Sequence, residues 1–111
     1  MRQLRPEERA LIAAMVRGQA AEDVVLQCIE DAVVQEMDDG GMGSIRFVRQ
    51  PLDKPRFATQ IREATFADMD GVPVSITINV DQDGYPFELD VWKADYSPLK
   101  RFPTPRDVSI R

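Results

Sequence analysis

The chain contains no histidine and only one cysteine among its 111 residues. Without histidine, the commonest general base and metal-binding side chain is missing, and Ser-His and Cys-His nucleophiles are excluded. Cys28 has no partner for an internal disulfide, and its neighbours Val24, Val25 and Ile29 predict a buried position in a helix. These absences favour a reducing compartment, and we expect a cytoplasmic protein.

Long apolar runs and an excess of positive charge are also absent. The apolar residues near the start are interrupted by charges, so neither a signal peptide nor a membrane span is predicted. The formal charge of −5 opposes binding to nucleic-acid phosphates and favours either solubility or a basic partner. The length is typical of one domain whose core needs no disulfide or metal, so residues 1–111 are expected to form a single domain.

The clearest pattern that is present is an alternation of apolar and polar residues. It runs through Val72, Val74, Ile76, Ile78 and Val80. A turn at Asp83 and Gly84 follows, and a second alternation continues through Phe87, Leu89 and Val91. The stretch therefore predicts an antiparallel hairpin with strands at about 72–81 and 86–95.

Weaker patterns supply the other elements. Apolar stripes predict helices at about 6–17 and 20–30, and strands are predicted at about 32–37, 44–50 and 56–67. The last of these strands changes parity, which indicates a bulge near Arg62 or Glu63. The sum is an α+β fold, with two N-terminal helices packed on one face of a roughly five-stranded antiparallel sheet and an extended Pro-rich C-terminal tail.

Three segments resemble a known family. They are Asp39-Gly40-Gly41-Met42-Gly43-Ser44, Phe87-Glu88-Leu89-Asp90-Val91-Trp92-Lys93 and Asp95-Tyr96-Ser97-Pro98-Leu99. Together with the opening residues, they are similar to a family of small uncharacterised bacterial proteins. The resemblance implies a bacterial single-domain protein, and it implies no catalytic residue and no substrate.

Two acidic segments and one glycine-rich segment imitate ligand-binding motifs. Asp68-Met69-Asp70-Gly71 and Asp81-Gln82-Asp83-Gly84 resemble the start of a calcium loop, but both lack its remaining ligands, and Asp-Gly pairs are what tight turns select. Residues 40–44 resemble a phosphate cradle but lack its terminal Lys-Ser/Thr pair. All three are expected to be turns, so no metal and no cofactor are predicted.

The last predicted strand carries a candidate binding surface. Glu88, Asp90 and Trp92 should share its outer face, and an exposed tryptophan beside carboxylates favours recognition of a basic protein. Lys93 would then point inward at an energetic cost, so a bulge that buries the indole is an alternative. Tyr96 and Met42 are further candidate partner contacts, although Met42 could equally fold back on the core.

Two classes of function remain. The first is a non-enzymatic protein-binding domain, for example an immunity protein or antitoxin that neutralises a basic toxin. The alternative is a small enzyme or ligand-binding module that uses Asp90, Asp95, Tyr85 and Tyr96 in a pocket between helices and sheet. Neither hypothesis involves nucleic acid or a membrane, and both allow a monomer or a homodimer.

Overall fold

The computed structural model of the chain describes residues 1–48 and 58–111. In chain order its elements are β1 (Arg2–Gln3), α1 (Pro6–Val16), α2 (Glu22–Cys28), β2 (Val33–Glu36), β3 (Ile45–Val48), β4 (Thr59–Ala67), β5 (Pro73–Val80), β6 (Pro86–Lys93), a 3-10 turn (Pro105–Asp107) and β7 (Ser109–Ile110). The strands form one antiparallel sheet in the order β1-β2-β3-β6-β5-β4-β7. The predicted α+β class is confirmed.

One hydrophobic core lies between the helices and the inner face of the sheet. The alternation in β5 places Val74, Ile76 and Ile78 in this core, and the same parity in β6 places Leu89 and Val91 beside them. The helices contribute their own apolar stripes, namely Leu11, Ile12, Met15, Val16, Val25 and Ile29. Because each strand alternates, the side chains between these residues face the opposite, outer side of the sheet.

The predicted bulge in β4 is confirmed, one residue earlier than expected. Gln60 pairs with Asn79 and Arg62 pairs with Ile78, so Ile61 is the extra residue. The bulge changes the parity of the strand, which lets Ile61 pack against the core together with residues further along β4.

The sheet has seven strands within residues 1–48 and 58–111, rather than the five that were predicted. The two missed strands, β1 and β7, are two residues long, so neither can show an alternating pattern. They pair with β2 and β4 respectively. The tail after Ser97 is therefore not extended throughout, because its end forms a 3-10 turn and an edge strand.

The helices and most strands are shorter than predicted. The helices end at Val16 and Cys28, and β6 ends at Lys93, two residues before the expected limit. Positions 49–50 and 56–57 of the predicted strands lie outside the described residues. Among the described residues, neither helix has the length and apolar character needed to cross a membrane.

Helix α1 begins at Pro6, and residues of its first turn provide for the backbone N–H groups that have no partner within the helix. Pro6 needs no hydrogen-bond acceptor at the first helical position, and Glu8 accepts a hydrogen bond from the backbone N–H of Arg5 at 2.8 Å. The Glu8 carboxylate also binds both terminal nitrogens of Arg2, at 2.8 and 2.9 Å. This pair joins the first strand of the sheet to the first helix.

The core assignment can be tested at two adjacent residues of β5. Ile76→Asp would place a carboxylate in the fully buried core, and it is expected to lower the free energy of unfolding by on the order of 4 kcal/mol or more. Thr77→Lys, on the outer face opposite Asp90, should change it by less than about 1 kcal/mol. Urea denaturation measures both, and equal effects would contradict the assignment.

Candidate functional site

The outer face of β6 presents Glu88, Asp90 and Trp92, as the sequence predicted. The register between β5 and β6 is uninterrupted from Lys93 back to Glu88, and Trp92 lies opposite Ser75. Trp92 is 48% exposed. The alternative in which a bulge buries Trp92 is therefore wrong. The irregularity in β6 lies at the other end of the strand, where Phe87 is the extra residue.

Tyr96 joins this surface from the turn that follows β6. Its ring stands against that of Trp92 at a centroid distance of 6.0 Å and an interplanar angle of 79°, which is an edge-to-face pair. The Tyr96 side chain is 68% exposed. Its backbone has φ of +63°, and among the described residues it is the one non-glycine with positive φ.

The two carboxylates of the surface have different partners. Glu88 accepts a hydrogen bond from Arg46 at 3.2 Å, whereas Asp90 accepts one from the side-chain amide of Asn79 at 3.0 Å. Burial, followed by the nearby charge of Glu88, raises the pKa of Asp90. We call Glu88, Asp90, Trp92 and Tyr96 the acidic-aromatic surface.

Lys93, the next residue along β6, lies on the inner side and is fully buried. Its ammonium is 2.8 Å from Asp68 Oδ2, 2.7 Å from Asp70 Oδ2 and 3.2 Å from the carbonyl oxygen of Pro98. An ammonium has three N–H donors, and each has an acceptor here. The expected cost of an inward lysine is therefore offset, although burial by itself disfavours the charge: these acceptors raise the pKa of Lys93.

Asp68 holds the C-terminal tail as well as the ammonium. Its carboxylate accepts hydrogen bonds from the backbone N–H groups of Met69, Lys100 and Arg101, at 2.7, 2.8 and 3.2 Å. Burial opposes ionisation of this group, but the ammonium of Lys93 and these N–H groups lower its pKa to about 2. The segment that imitates a calcium loop thus forms the turn between β4 and β5, with a lysine ammonium as its cation.

The glycine-rich segment, residues 40–44, lies beside the second half of β6, where β3 no longer pairs with that strand. Pairing between β3 and β6 stops at Leu89, and beyond it the hydroxyl of Ser44 accepts a hydrogen bond from the N–H of Val91 at 2.8 Å. The sulfur of Met42 accepts one from the N–H of Lys93 at 3.3 Å. Met42 is only 9% exposed, so it folds back on the core, and it is not part of the outer surface.

The turn itself is fixed by Asp39 and by the tail. The Asp39 carboxylate accepts hydrogen bonds from the backbone N–H groups of Met42 and Ser44, at 3.2 and 2.9 Å. Gly41 has φ of +83°, and an added Cβ would lie 3.3 Å from Pro98 Cβ, so glycine is required for this close approach. The segment is a tight turn. It lies against Pro98, whose carbonyl oxygen accepts a hydrogen bond from the ammonium of Lys93.

The residues proposed for an enzymatic pocket are not brought together. Asp90 and Tyr96 lie on the outer surface, and Asp95 is exposed in the turn, where it accepts hydrogen bonds from Ser97. Tyr85 lines a separate depression that also contains Cys28. Cys28, the last residue of α2, is partly exposed rather than buried as predicted.

A cleft of about 380 Å³ lies between the glycine-rich turn, the start of α1 and the tail. Its lining carries both signs of charge, and several of these charges neutralise one another, since Arg2 binds Glu8 and Glu36. No catalytic arrangement emerges from the side chains that line this cleft. The sequence analysis placed Asp68 and Asp70 in a turn and Lys93 on the inner face, but it did not predict that these three residues form an ion-paired cluster.

Removal of the buried ammonium should strongly destabilise the fold. Lys93→Met keeps the length of the side chain but leaves Asp68 without its ion pair, and we expect the thermal midpoint to fall by on the order of 10 °C. Lys100→Met is the matched control, because that side chain is exposed and its backbone N–H remains to bind Asp68. Thermal denaturation followed by circular dichroism measures both, and equal midpoints would contradict the assigned role.

The pH dependence follows from the lowered pKa of Asp68. A carboxylate of this kind stabilises the fold fully above its ordinary pKa of 3.8, and the contribution disappears as the pH falls through the folded value of about 2. The thermal midpoint of the native protein should therefore fall between about pH 4 and pH 2. The Asp68→Asn variant should have a lower thermal midpoint at pH 4, and its midpoint should fall less between pH 4 and pH 2 than that of the native protein. If the midpoint of this variant falls by as much as that of the native protein, Asp68 is not the source of the pH dependence.

Comparison with known proteins gives one match. Residues 1–103 match a protein family described as a domain of unknown function, DUF6984. Neither a curated protein nor a solved structure matches the chain. The matched range includes all strands except β7, and the 3-10 turn also lies beyond it. Since the match covers nearly the whole chain, this protein belongs to the DUF6984 family, and the predicted resemblance to an uncharacterised family is confirmed.

Proposed function

We propose that this protein is a non-enzymatic binding domain that recognises a basic protein through its acidic-aromatic surface. The observation that carries the proposal is the exposed edge-to-face pair of Trp92 and Tyr96 beside the carboxylate of Asp90. Tryptophan and tyrosine are frequent energetic anchors of protein interfaces, and neighbouring carboxylates attract and orient a basic partner.

The position of this surface also supports binding rather than catalysis. The side chains lie on the outer face of the sheet, on the opposite side from the core that α1 and α2 cover. The strand behind them is held in register, because β6 pairs with β5 without interruption from Glu88 to Lys93. An anchor on a central strand keeps its geometry, which lowers the entropic loss on binding.

A finer form of the proposal identifies the partner as a basic toxin, with this protein as its immunity protein or antitoxin. The acidic charge of the whole chain, −5, and the location of the carboxylates beside the aromatic pair agree with such a role. The role requires tight association with one partner and no chemistry of its own. A toxin and its immunity protein or antitoxin are commonly encoded by neighbouring genes. The experiment therefore tests the protein encoded beside this one.

The protein encoded beside this gene in its native locus should be expressed alone and together with this chain, while growth and complex formation are measured. We expect growth arrest by the neighbour, rescue by this protein and a stable complex. The pair Glu88→Gln and Asp90→Asn should weaken the complex by about tenfold or more, because both substitutions remove charge while they preserve shape.

The matched control is the pair Asp23→Asn and Glu30→Gln, which removes the same charge from exposed positions at α2. This control should bind as the native protein does. A harmless neighbour would exclude the toxin form of the proposal. A complex that tolerates loss of both Glu88 and Asp90 charges would exclude the acidic-aromatic surface as the binding site.

A further inference from the structure

One arginine of the chain itself shows how a guanidinium can bind beside the acidic-aromatic surface. The guanidinium carbon of Arg46 lies 5.4 Å from the centre of the Phe87 ring, and its Nη2 donates to Glu88 at 3.2 Å. An arginine thus contacts an aromatic ring and binds an adjacent carboxylate of β6. This combination suits a guanidinium, which is planar and can contact a ring face while it donates hydrogen bonds in its plane.

A carboxylate and an aromatic ring occur together again further along β6, at Asp90 and Trp92, and among the described residues no arginine donates a hydrogen bond to Asp90. Asp90 and Trp92 share the outer face, with Cα atoms about 7 Å apart in an extended strand. The segment beside them is the glycine-rich turn, residues 39–44, which carries no cation. Among the ion pairs of the described residues, none involves Asp90, whose side-chain donor is the neutral amide of Asn79.

Tyr96 contacts Trp92 from the turn that follows β6, and the chain accepts backbone strain to put it there. A left-handed φ of +63° is unfavourable for a bulky side chain and natural for glycine. Little of the phenol is buried in return, since it is 68% exposed and its ring contact is with the exposed indole. Strained conformations of this kind concentrate at functional sites, and here the strain places an aromatic edge at right angles to Trp92.

We infer that Asp90, Trp92 and Tyr96 form a seat for an arginine side chain of the partner, with the guanidinium against the indole and its N–H groups on the Asp90 carboxylate. The inference rests on the proposed function, because it names the chemical group through which the basic partner is recognised. Lysine would fit less well, since its ammonium is a point charge that does not stack on a flat ring.

Trp92 is the one tryptophan of the chain, so its fluorescence reports on this seat alone. The probes are three synthetic hexapeptides that alternate glycine with arginine, lysine or citrulline, the last being a neutral analogue of arginine. We expect the arginine peptide to change the emission of Trp92 with an affinity at least about fivefold above the lysine peptide, and the citrulline peptide to have little effect.

Two variants separate recognition from stability. Asp90→Asn should reduce the affinity for the arginine peptide by about fivefold or more and abolish its advantage over lysine. Tyr96→Gly should weaken binding while the thermal midpoint stays the same or rises, because glycine relieves the left-handed strain. A purely structural tyrosine would instead lower the midpoint and leave the affinity unchanged. Asp23→Asn, on α2, is the control and should alter neither quantity.

The outcomes distinguish this inference from the proposal on which it rests. Equal affinities for the arginine and lysine peptides overturn the arginine seat and leave recognition of a basic protein standing. Equal affinities for the arginine and citrulline peptides overturn the role of charge in the arginine seat and in the proposed recognition of a basic protein. No response of Trp92 to any peptide overturns the seat, whereas the complex with the neighbouring protein tests the proposed function independently.

Discussion

The buried ammonium of Lys93 is the interaction on which the rest of this structure depends. It lies at the end of a central strand, and its three acceptors come from the turn between β4 and β5 and from the C-terminal tail. The tail is then held at two further points, where the backbone N–H groups of Lys100 and Arg101 donate to Asp68. One charge thus connects segments that are far apart in sequence, and the free energy of the fold depends on keeping that charge paired.

The same lysine determines which way its neighbour faces. Adjacent side chains of a strand point to opposite faces, so Trp92 is exposed because Lys93 is buried. A lysine on the inner face would be prohibitive without acceptors, and Asp68 and Asp70 supply them within hydrogen-bonding distance. The buried ion pair and the exposed aromatic surface therefore lie on opposite faces of the same strand, β6. A change in the ion pair would disturb the aromatic surface.

This arrangement gives structural meaning to the motifs that characterise the chain. The glycine-rich turn caps the edge of β6 with Ser44 and Met42, and Gly41 allows the tail to pass close by. These contacts hold β6 and the tail in place. The outer side of the same strand carries the acidic-aromatic surface, and its exposed aromatic pair beside the Asp90 carboxylate is the basis for proposing a binding function.

Sequence alone determined the α+β class, the hairpin of β5 and β6, the bulge in β4 and the outward parity of Glu88, Asp90 and Trp92, because alternation and turn chemistry are local properties. It missed β1 and β7, which are too short to show a period and exist only through pairing with strands distant in the chain. It also left two alternatives at Trp92, since local pattern does not reveal acceptors for an inward lysine. Only the tertiary structure, which brings Asp68, Asp70 and Pro98 to one ammonium, decided that question.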